Sequence, residues 1–148
     1  MDDNAITSTI TVNIAGVFRT YDGLSMDEKT APFRLLQDDE RRLLETLLDH
    51  HQFDGRDQLR QQLESTTARL ILAYQDNYGS IELHVSNGPP SSGRYRVPVE
   101  GQYLDDDGIP VWLLVHINRE GFMCELEIVR ADGKPLISTP TPERLEVH

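Results

Sequence analysis

The sequence has one cysteine, two lysines and no long run of apolar residues, and each scarcity excludes a class of protein. A lone Cys124 cannot form an internal disulfide bond, which excludes the disulfide-stapled secreted domains. No window is apolar over the length that a bilayer-spanning helix needs, and the N-terminus lacks the basic start and apolar run of a signal peptide. We therefore expect a cytoplasmic protein.

Basic residues are also scarce, since 14 lysines and arginines face 25 acidic residues and give a formal net charge of −11. Nucleic acids and anionic membrane surfaces bind proteins mainly through lysine and arginine, so we expect neither as a partner. Lys29 and Lys134 are the two lysines, and every other cation is an arginine. Because the planar guanidinium group favours fixed ion pairs, we expect the arginines to pair with carboxylates of the same chain.

Catalytic sequence motifs are missing as well. The chain contains no glycine-rich phosphate loop, no nucleophile elbow and no paired-histidine metalloprotease motif. Cys124 alternates with Phe122, Leu126 and Ile128, a pattern that predicts a small buried side chain rather than a nucleophile. We therefore expect no enzymatic activity and no cofactor.

Two patterns resemble metal sites but have the wrong spacing. Asp105, Asp106 and Asp107 precede Gly108 as in a calcium loop, yet Leu114 stands where the bidentate glutamate would be needed. His84 and His116 have no partner at a spacing typical of zinc sites. We therefore predict no metal, and interpret the aspartates as a charged turn between strands.

The length of 148 residues suits one domain preceded by a short arm. Residues 1–33 are β-prone and predict either an extra edge strand or a poorly ordered arm, followed by one domain over residues 34–148. Leucines at 43, 44, 47 and 48, with an acidic first turn, predict an amphipathic helix from about 37 to 51. A second, shorter helix is predicted from Asp57, with Leu59 and Leu63 on one face.

From Thr67 onward, apolar residues alternate with polar ones, which is typical of strands. Five strands are predicted, near 70–74, 81–85, 95–100, 111–117 and 122–129, the last two as a central hairpin. Pro98 places its strand at an edge or a bulge, and Leu145 with Val147 could add a last short strand. The predicted fold is α+β, with two N-terminal helices packed on one face of a mostly antiparallel sheet of about five strands.

The alternation also predicts which side chains lie on the opposite face of the sheet. We call this surface the polar sheet face; its members are Glu82, His84, Trp112, Leu114, His116, Glu125 and Glu127. A tryptophan surrounded by charge is typical of a protein-binding surface. We predict that this face and the turn Asp105, Asp106 and Asp107 contact a partner. The alternative is that the N-terminal arm covers the face.

Four segments carry a resemblance to known proteins: RLLQDDE at 34–40, GSIEL at 79–83, DDDGIPV at 105–111 and GFMCELEI at 121–128. Over about residues 34–147 the chain resembles an uncharacterised family of small bacterial domains, also met among immunity-like proteins. The resemblance implies no catalytic residue. It favours an acidic module that neutralises a basic protein, such as a toxin, by covering its cationic active site.

Two other functions remain open from the sequence. Glu82, His84, His116, Glu125 and Glu127 could serve as acid, base or ligand-contacting groups of a small enzyme or ligand-binding domain. That function requires these side chains to converge in a concave pocket. A third possibility is an accessory domain of a larger assembly, and the sequence indicates no oligomeric state.

Overall fold

The computed structural model describes residues 7–14, 17–25, 32–71, 79–92 and 96–148, with side chains from residue 32 onward. The helices within these residues are α1 (Asp38–Asp49) and α2 (Arg56–Gln62), and α2 continues into a 3₁₀ turn (Leu63–Ser65). The strands are β1 (Thr7–Ile14), β2 (Val17–Ser25), β3 (Arg34–Leu35), β4 (Thr66–Leu70), β5 (Ile81–Val85), β6 (Arg96–Leu104), β7 (Pro110–Ile117), β8 (Met123–Arg130) and β9 (Glu146–Val147). None of the described helices is long and apolar enough to cross a membrane.

The main sheet has seven strands in the order β3-β4-β5-β8-β7-β6-β9, and every neighbouring pair is antiparallel. The α+β class and the antiparallel sheet are thus confirmed. Four of the five predicted strands correspond to β5 through β8, with the β7–β8 hairpin near the centre. The strand predicted near 70–74 shares only Leu70 with β4, which begins earlier, at Thr66. The sheet also contains two two-residue edge strands: β9, at the position of the possible last strand, and β3, which was not predicted. The β6–β7 register shifts between Arg96 and Glu100, so Pro98 does lie at a bulge.

Both helices bury their leucines against one face of this sheet. Leu44, Leu47 and Leu48 of α1 and Leu59 of α2 have no solvent exposure. The facing strands contribute alternate residues, among them Val111, Leu113 and Val115 of β7, which are equally buried. The period-two pattern of each strand therefore assigns one set of side chains to the core and leaves the other set on the far face.

Two predicted helix boundaries differ from the structure. α1 ends at Asp49, so His50 is its C-cap and His51 lies beyond it, not in the last turn. α2 begins after Gly55, which has a φ of 89°, and not after a capping Asp57. Glycine adopts this left-handed backbone without the steric cost that a Cβ atom would add, so it sets the start of α2.

The N-terminal arm is not an edge strand of the main sheet over residues 7–25. β1 and β2 pair with each other as an antiparallel hairpin, with Ile14 opposite Val17, and form a separate two-stranded sheet. The predicted strand residues Leu72, Tyr74 and Tyr95 lie outside the described residues, as do the arm side chains that were considered as a cover for the polar sheet face.

A bulge in β8 overturns the predicted position of Cys124. Glu125 lies opposite His116 and Met123 opposite Ile117, which leaves Cys124 as the extra residue of the strand. Met123 is 1% exposed and occupies the core position, whereas Cys124 is only partly buried. The alternation predicted across 122–128 is therefore interrupted, and the thiol does not belong to the core.

Gln62 at the end of α2 holds the start of β8 in place. Its side chain is fully buried and donates through Nε2 to the carbonyl oxygens of Pro89 and Gly121, both at 2.9 Å. Its Oε1 accepts the backbone N–H of Met123 at 3.0 Å. One amide thus satisfies three buried backbone groups next to the β8 bulge.

Candidate functional site

The strand register brings three residues of the polar sheet face into one row. Glu82 of β5 lies opposite Glu125 of β8, and Glu125 lies opposite His116 of β7. Glu127 follows on β8 and Trp112 lies further along β7, opposite Val129. The five residues are partly exposed and His84 is exposed, as the alternation predicted, while Leu83, Leu126 and Ile128 beside them enter the core.

Two of the three glutamates on this face have a cationic or hydrogen-bonding partner. Arg69 Nε donates to Glu82 Oε2 at 2.7 Å, and His116 Nε2 lies 2.5 Å from Glu127 Oε2. The Arg69 guanidinium also lies 4.2 Å from the ring centre of Phe33, which in turn packs against His84. These contacts fix the geometry at both ends of the row.

Glu125, in the middle of the row, accepts no hydrogen bond and joins no ion pair from the residues that the structure describes. Burial raises the pKa of its carboxyl group; the nearby His116 opposes the rise, and the carboxylates of Glu127 and Glu82 add to it. Like charges directly across two strands repel. Over the described residues, the other carboxylates without an ion pair are all solvent-exposed: Asp38, Asp54, Glu120 and Glu146. Glu125 is therefore the one partly buried carboxylate there that joins no ion pair.

A cleft of about 210 Å³ opens beside Glu125 and Glu127. Ser80, Val129 and Gly133 form part of its wall, and Lys134 lines it as well. Glu82, His84 and His116 do not line this cleft, so the five residues considered for acid–base chemistry do not all converge there. The surface thus combines a flat row of side chains with a small recess at one end.

The aspartate turn between β6 and β7 is built around a buried arginine. The Arg130 side chain is 4% exposed and donates to Asp105 at 2.7 Å, to Asp132 at 2.8 and 3.0 Å, and to both oxygens of Asp107. We call these four residues the Arg130 cluster. All five N–H donors of the guanidinium are occupied by three carboxylates, which is the full capacity of an arginine.

Asp105 in addition anchors the segment that follows β8. Its carboxylate accepts the backbone N–H groups of Ile137 and Ser138 at 2.9 and 3.0 Å, and the Ser138 hydroxyl at 2.9 Å. Burial alone would raise the pKa of Asp105, but these donors and Arg130 hold it well below its ordinary value. Asp105 is therefore ionised and internal.

The prediction that Asp105 contacts a partner is corrected by this burial, because the residue is 3% exposed and its oxygens face internal donors. Asp106 and Asp107 are exposed, and Asp107 also pairs with Arg130. Within the described parts of the chain, no group of three or more histidine, cysteine, aspartate or glutamate side chains is arranged to hold a metal ion.

Sequence reasoning missed Phe33, Arg69 and Arg130. Arg69 alternates with Ala68 and Leu70 in β4, so a period-two reading extended to that strand would have placed it beside Glu82. Arg130 continues the buried series of Leu126 and Ile128, and an arginine at a core position needs acidic partners. Phe33 lies in no regular element and carried no such signal.

Comparison with known proteins gives a family and no individual relative. None of the curated proteins and none of the solved structures matches the chain significantly. The profile of one family, described as a domain of unknown function (DUF6984), matches residues 33–140, which is well over half of the chain. The match covers α1, α2 and strands β3 to β8, and so includes both the polar sheet face and the Arg130 cluster. The chain therefore belongs to the DUF6984 family.

Proposed function

We propose that the protein binds a basic protein through the polar sheet face and neutralises it, as an immunity protein neutralises a toxin. The observation that carries the proposal is Glu125, a partly buried carboxylate that is flanked by two others and forms no ion pair with the residues that the structure describes. A charge in this position is costly in the free protein. A cation supplied by a partner would remove that cost on binding.

Most arginines of the described residues are already engaged elsewhere, whereas Lys134 lines the cleft itself. Nine arginines of the described chain form ion pairs with acidic residues of the chain: Arg34, Arg41, Arg42, Arg56, Arg60, Arg69, Arg96, Arg130 and Arg144. This pairing agrees with the expectation drawn from the excess of arginine over lysine. The net charge of −11 is therefore presented outward mainly by carboxylates, which suits a basic partner.

The cleft beside Glu125 and Glu127 indicates how one partner side chain would be held. An arginine or lysine entering it would meet both carboxylates while its aliphatic stem packs on Val129. Trp112, partly exposed on the neighbouring strand, supplies the aromatic contact that dominates many protein interfaces. The proposed interface thus has one charged recess and one aromatic anchor.

The experiment compares Glu125→Lys with Glu120→Lys in affinity capture from the source cell and in subsequent binding kinetics. Glu120 is exposed in the β7–β8 turn, so its substitution changes the net charge equally away from the row. The proposal expects one basic protein to be captured by wild type and by Glu120→Lys, and to be lost with Glu125→Lys. Its association rate should fall by about tenfold or more between low and physiological salt. Equal capture by both variants, or a rate insensitive to salt, would contradict it.

A second candidate is a small enzyme, and one observation favours it. The 2.5 Å contact between His116 and Glu127 orients the imidazole ring, while Glu125 beside them has a raised carboxyl pKa. Carboxyl groups with different environments can divide the acid and base roles of a hydrolytic reaction. Model ester, glycoside and phosphodiester substrates should then be turned over by wild type and by Glu120→Gln, and not by Glu127→Gln. If the wild type turns over none of these substrates while Glu125→Lys loses the captured protein, the enzyme candidate is wrong and the binding function stands.

A further inference from the structure

A second recess lies on the opposite, helix-covered side of the main sheet. Its volume is about 260 Å³, and it opens between the first turn of α1, the edge strand β3 and the segment around 136–140. Six core side chains form its floor: Leu43, Leu70, Ile81, Leu126, Ile128 and Leu136. None of them is more than 6% exposed, so the recess reaches into the core.

The recess is partly open to solvent, with an apolar floor and a polar mouth. An apolar cavity of roughly 150 Å³ already admits a molecule of the size of benzene. Few polar groups in the floor could hold water, so an apolar body suits the space.

The charged residues at the mouth of the recess favour a cationic ligand over an anionic one. Arg34 forms a bidentate pair with Glu40 at 2.7 and 2.9 Å, so its guanidinium is already neutralised. Asp39 also lines the mouth, and its exposed contact to Arg42 is long at 3.3 Å. Three carboxylates occupy the first turn of α1 and compensate the helix dipole, which would otherwise favour an anion.

We propose that this recess binds a small aryl or alkyl amine, with the apolar body against the leucine floor and the ammonium group at Asp39. Thr139 at the mouth is placed to add a polar contact. The site is independent of the polar sheet face, which lies on the other side of the sheet. It is a ligand site in a domain whose proposed function is to bind a protein.

The test uses benzylamine, benzyl alcohol and benzoate as probes, because all three carry a phenyl ring but differ in charge. In methyl-labelled full-length protein, benzylamine should shift the methyl resonances of Ile81, Leu126 and Leu136 in a saturable manner. Benzyl alcohol should bind more weakly, and benzoate should cause no shift at the same concentration. Shifts that are equal for all three probes, or that occur only at distant methyl groups such as those of Val97, would overturn the proposal.

A matched pair of variants tests the role of Asp39. Asp39→Asn should weaken benzylamine binding by about two- to fivefold and leave benzyl alcohol binding unchanged. Asp38→Asn makes the same charge change in the same exposed helix turn but does not line the recess, so it should leave both affinities unchanged. If the two variants weaken benzylamine binding equally, the ammonium group is not held at Asp39 and the proposal fails.

Discussion

Asp105 is the buried carboxylate at the centre of the Arg130 cluster. Its carboxylate is ionised, buried and held by Arg130, two backbone N–H groups and one hydroxyl group. Removing one partner of a buried pair leaves the other charge uncompensated. Asp105→Ala is therefore expected to lower the free energy of unfolding by about 3–5 kcal/mol. Urea denaturation measures this change.

The control for that substitution is Asp54→Ala, because Asp54 is exposed and joins no ion pair among the described residues. Its effect should remain within about 0.5 kcal/mol. If the two substitutions cost the same, the Arg130 cluster does not stabilise the fold.

The pKa of Asp132 is lowered to about 2 by its hydrogen bonds with Arg130. The ionised carboxylate therefore stabilises the fold at pH values above its ordinary pKa, and this stability is lost as the pH falls toward 2.

Glu125 shows the opposite linkage between charge and stability. Its pKa is raised in the folded protein, so its contribution to stability is present at low pH and is lost as the pH rises through that pKa. Glu125→Gln should therefore raise the thermal midpoint at pH 7 by about 1–3 °C and change it little below pH 4. Differential scanning calorimetry at both pH values tests this expectation. A lower midpoint at pH 7 would mean that the carboxylate is stabilised by internal contacts.

At the scale of elements, periodicity predicted α1 and several strands of the main sheet, but not the β1–β2 hairpin. The four leucines of α1 and the alternation in β5, β7 and β8 specified one helix, the central hairpin and the polar sheet face. The two-residue strand β3 is too short for alternation to indicate it. The β8 bulge was hidden because Phe122, Cys124, Leu126 and Ile128 mimic an unbroken strand.

The Gln62 side chain of α2 is hydrogen-bonded beside that bulge, so its substitution should destabilise both α2 and the start of β8. Gln62→Leu would leave the carbonyl groups of Pro89 and Gly121 and the N–H group of Met123 without their partner. The expected loss is about 2–4 kcal/mol in the free energy of unfolding. Faster amide exchange at Met123 should accompany it. Gln61→Leu, on the exposed side of α2, provides the control and should not accelerate this exchange.

At the scale of the whole molecule, the N-terminal hairpin and the seven-stranded sheet are separate sheets. The family match begins at residue 33, after β2. A chain of residues 32–148 should therefore unfold cooperatively, with a thermal midpoint within about 5 °C of the full protein. Calorimetry of the shortened chain measures this midpoint. A non-cooperative transition would show that residues 1–31 belong to the same folding unit.

Removal of residues 141–148 is the contrasting deletion. It takes away β9, the Arg42–Glu143 ion pair and the Arg144 contact to the Leu104 carbonyl oxygen. Leu145 also packs close to Gly101 beside Leu47 of α1. The midpoint of this chain should fall by more than that of the N-terminal deletion, because an edge of the core is uncovered.

The candidate site could be predicted as a face but not as a set of contacts. Alternation assigns Glu125 and His116 to one side of the sheet, yet it cannot reveal that His116 pairs with Glu127. That pairing depends on strand order, and β8 lies between β5 and β7 although it follows both in sequence. That Glu125 forms no ion pair with the described residues emerges only once the order is known.

The Arg130 cluster has a consequence for how the sequence can diverge. One guanidinium serves three carboxylates from two loops, and a lysine offers three N–H donors instead of five. A first substitution at any of the four positions leaves its former partners without their opposite charge inside the fold. A protein with one such substitution is therefore less fit than either the original protein or one in which the whole cluster has been replaced. Drift at Asp105, Asp107, Arg130 and Asp132 is therefore epistatic, and these positions should change as a group in any lineage that replaces them.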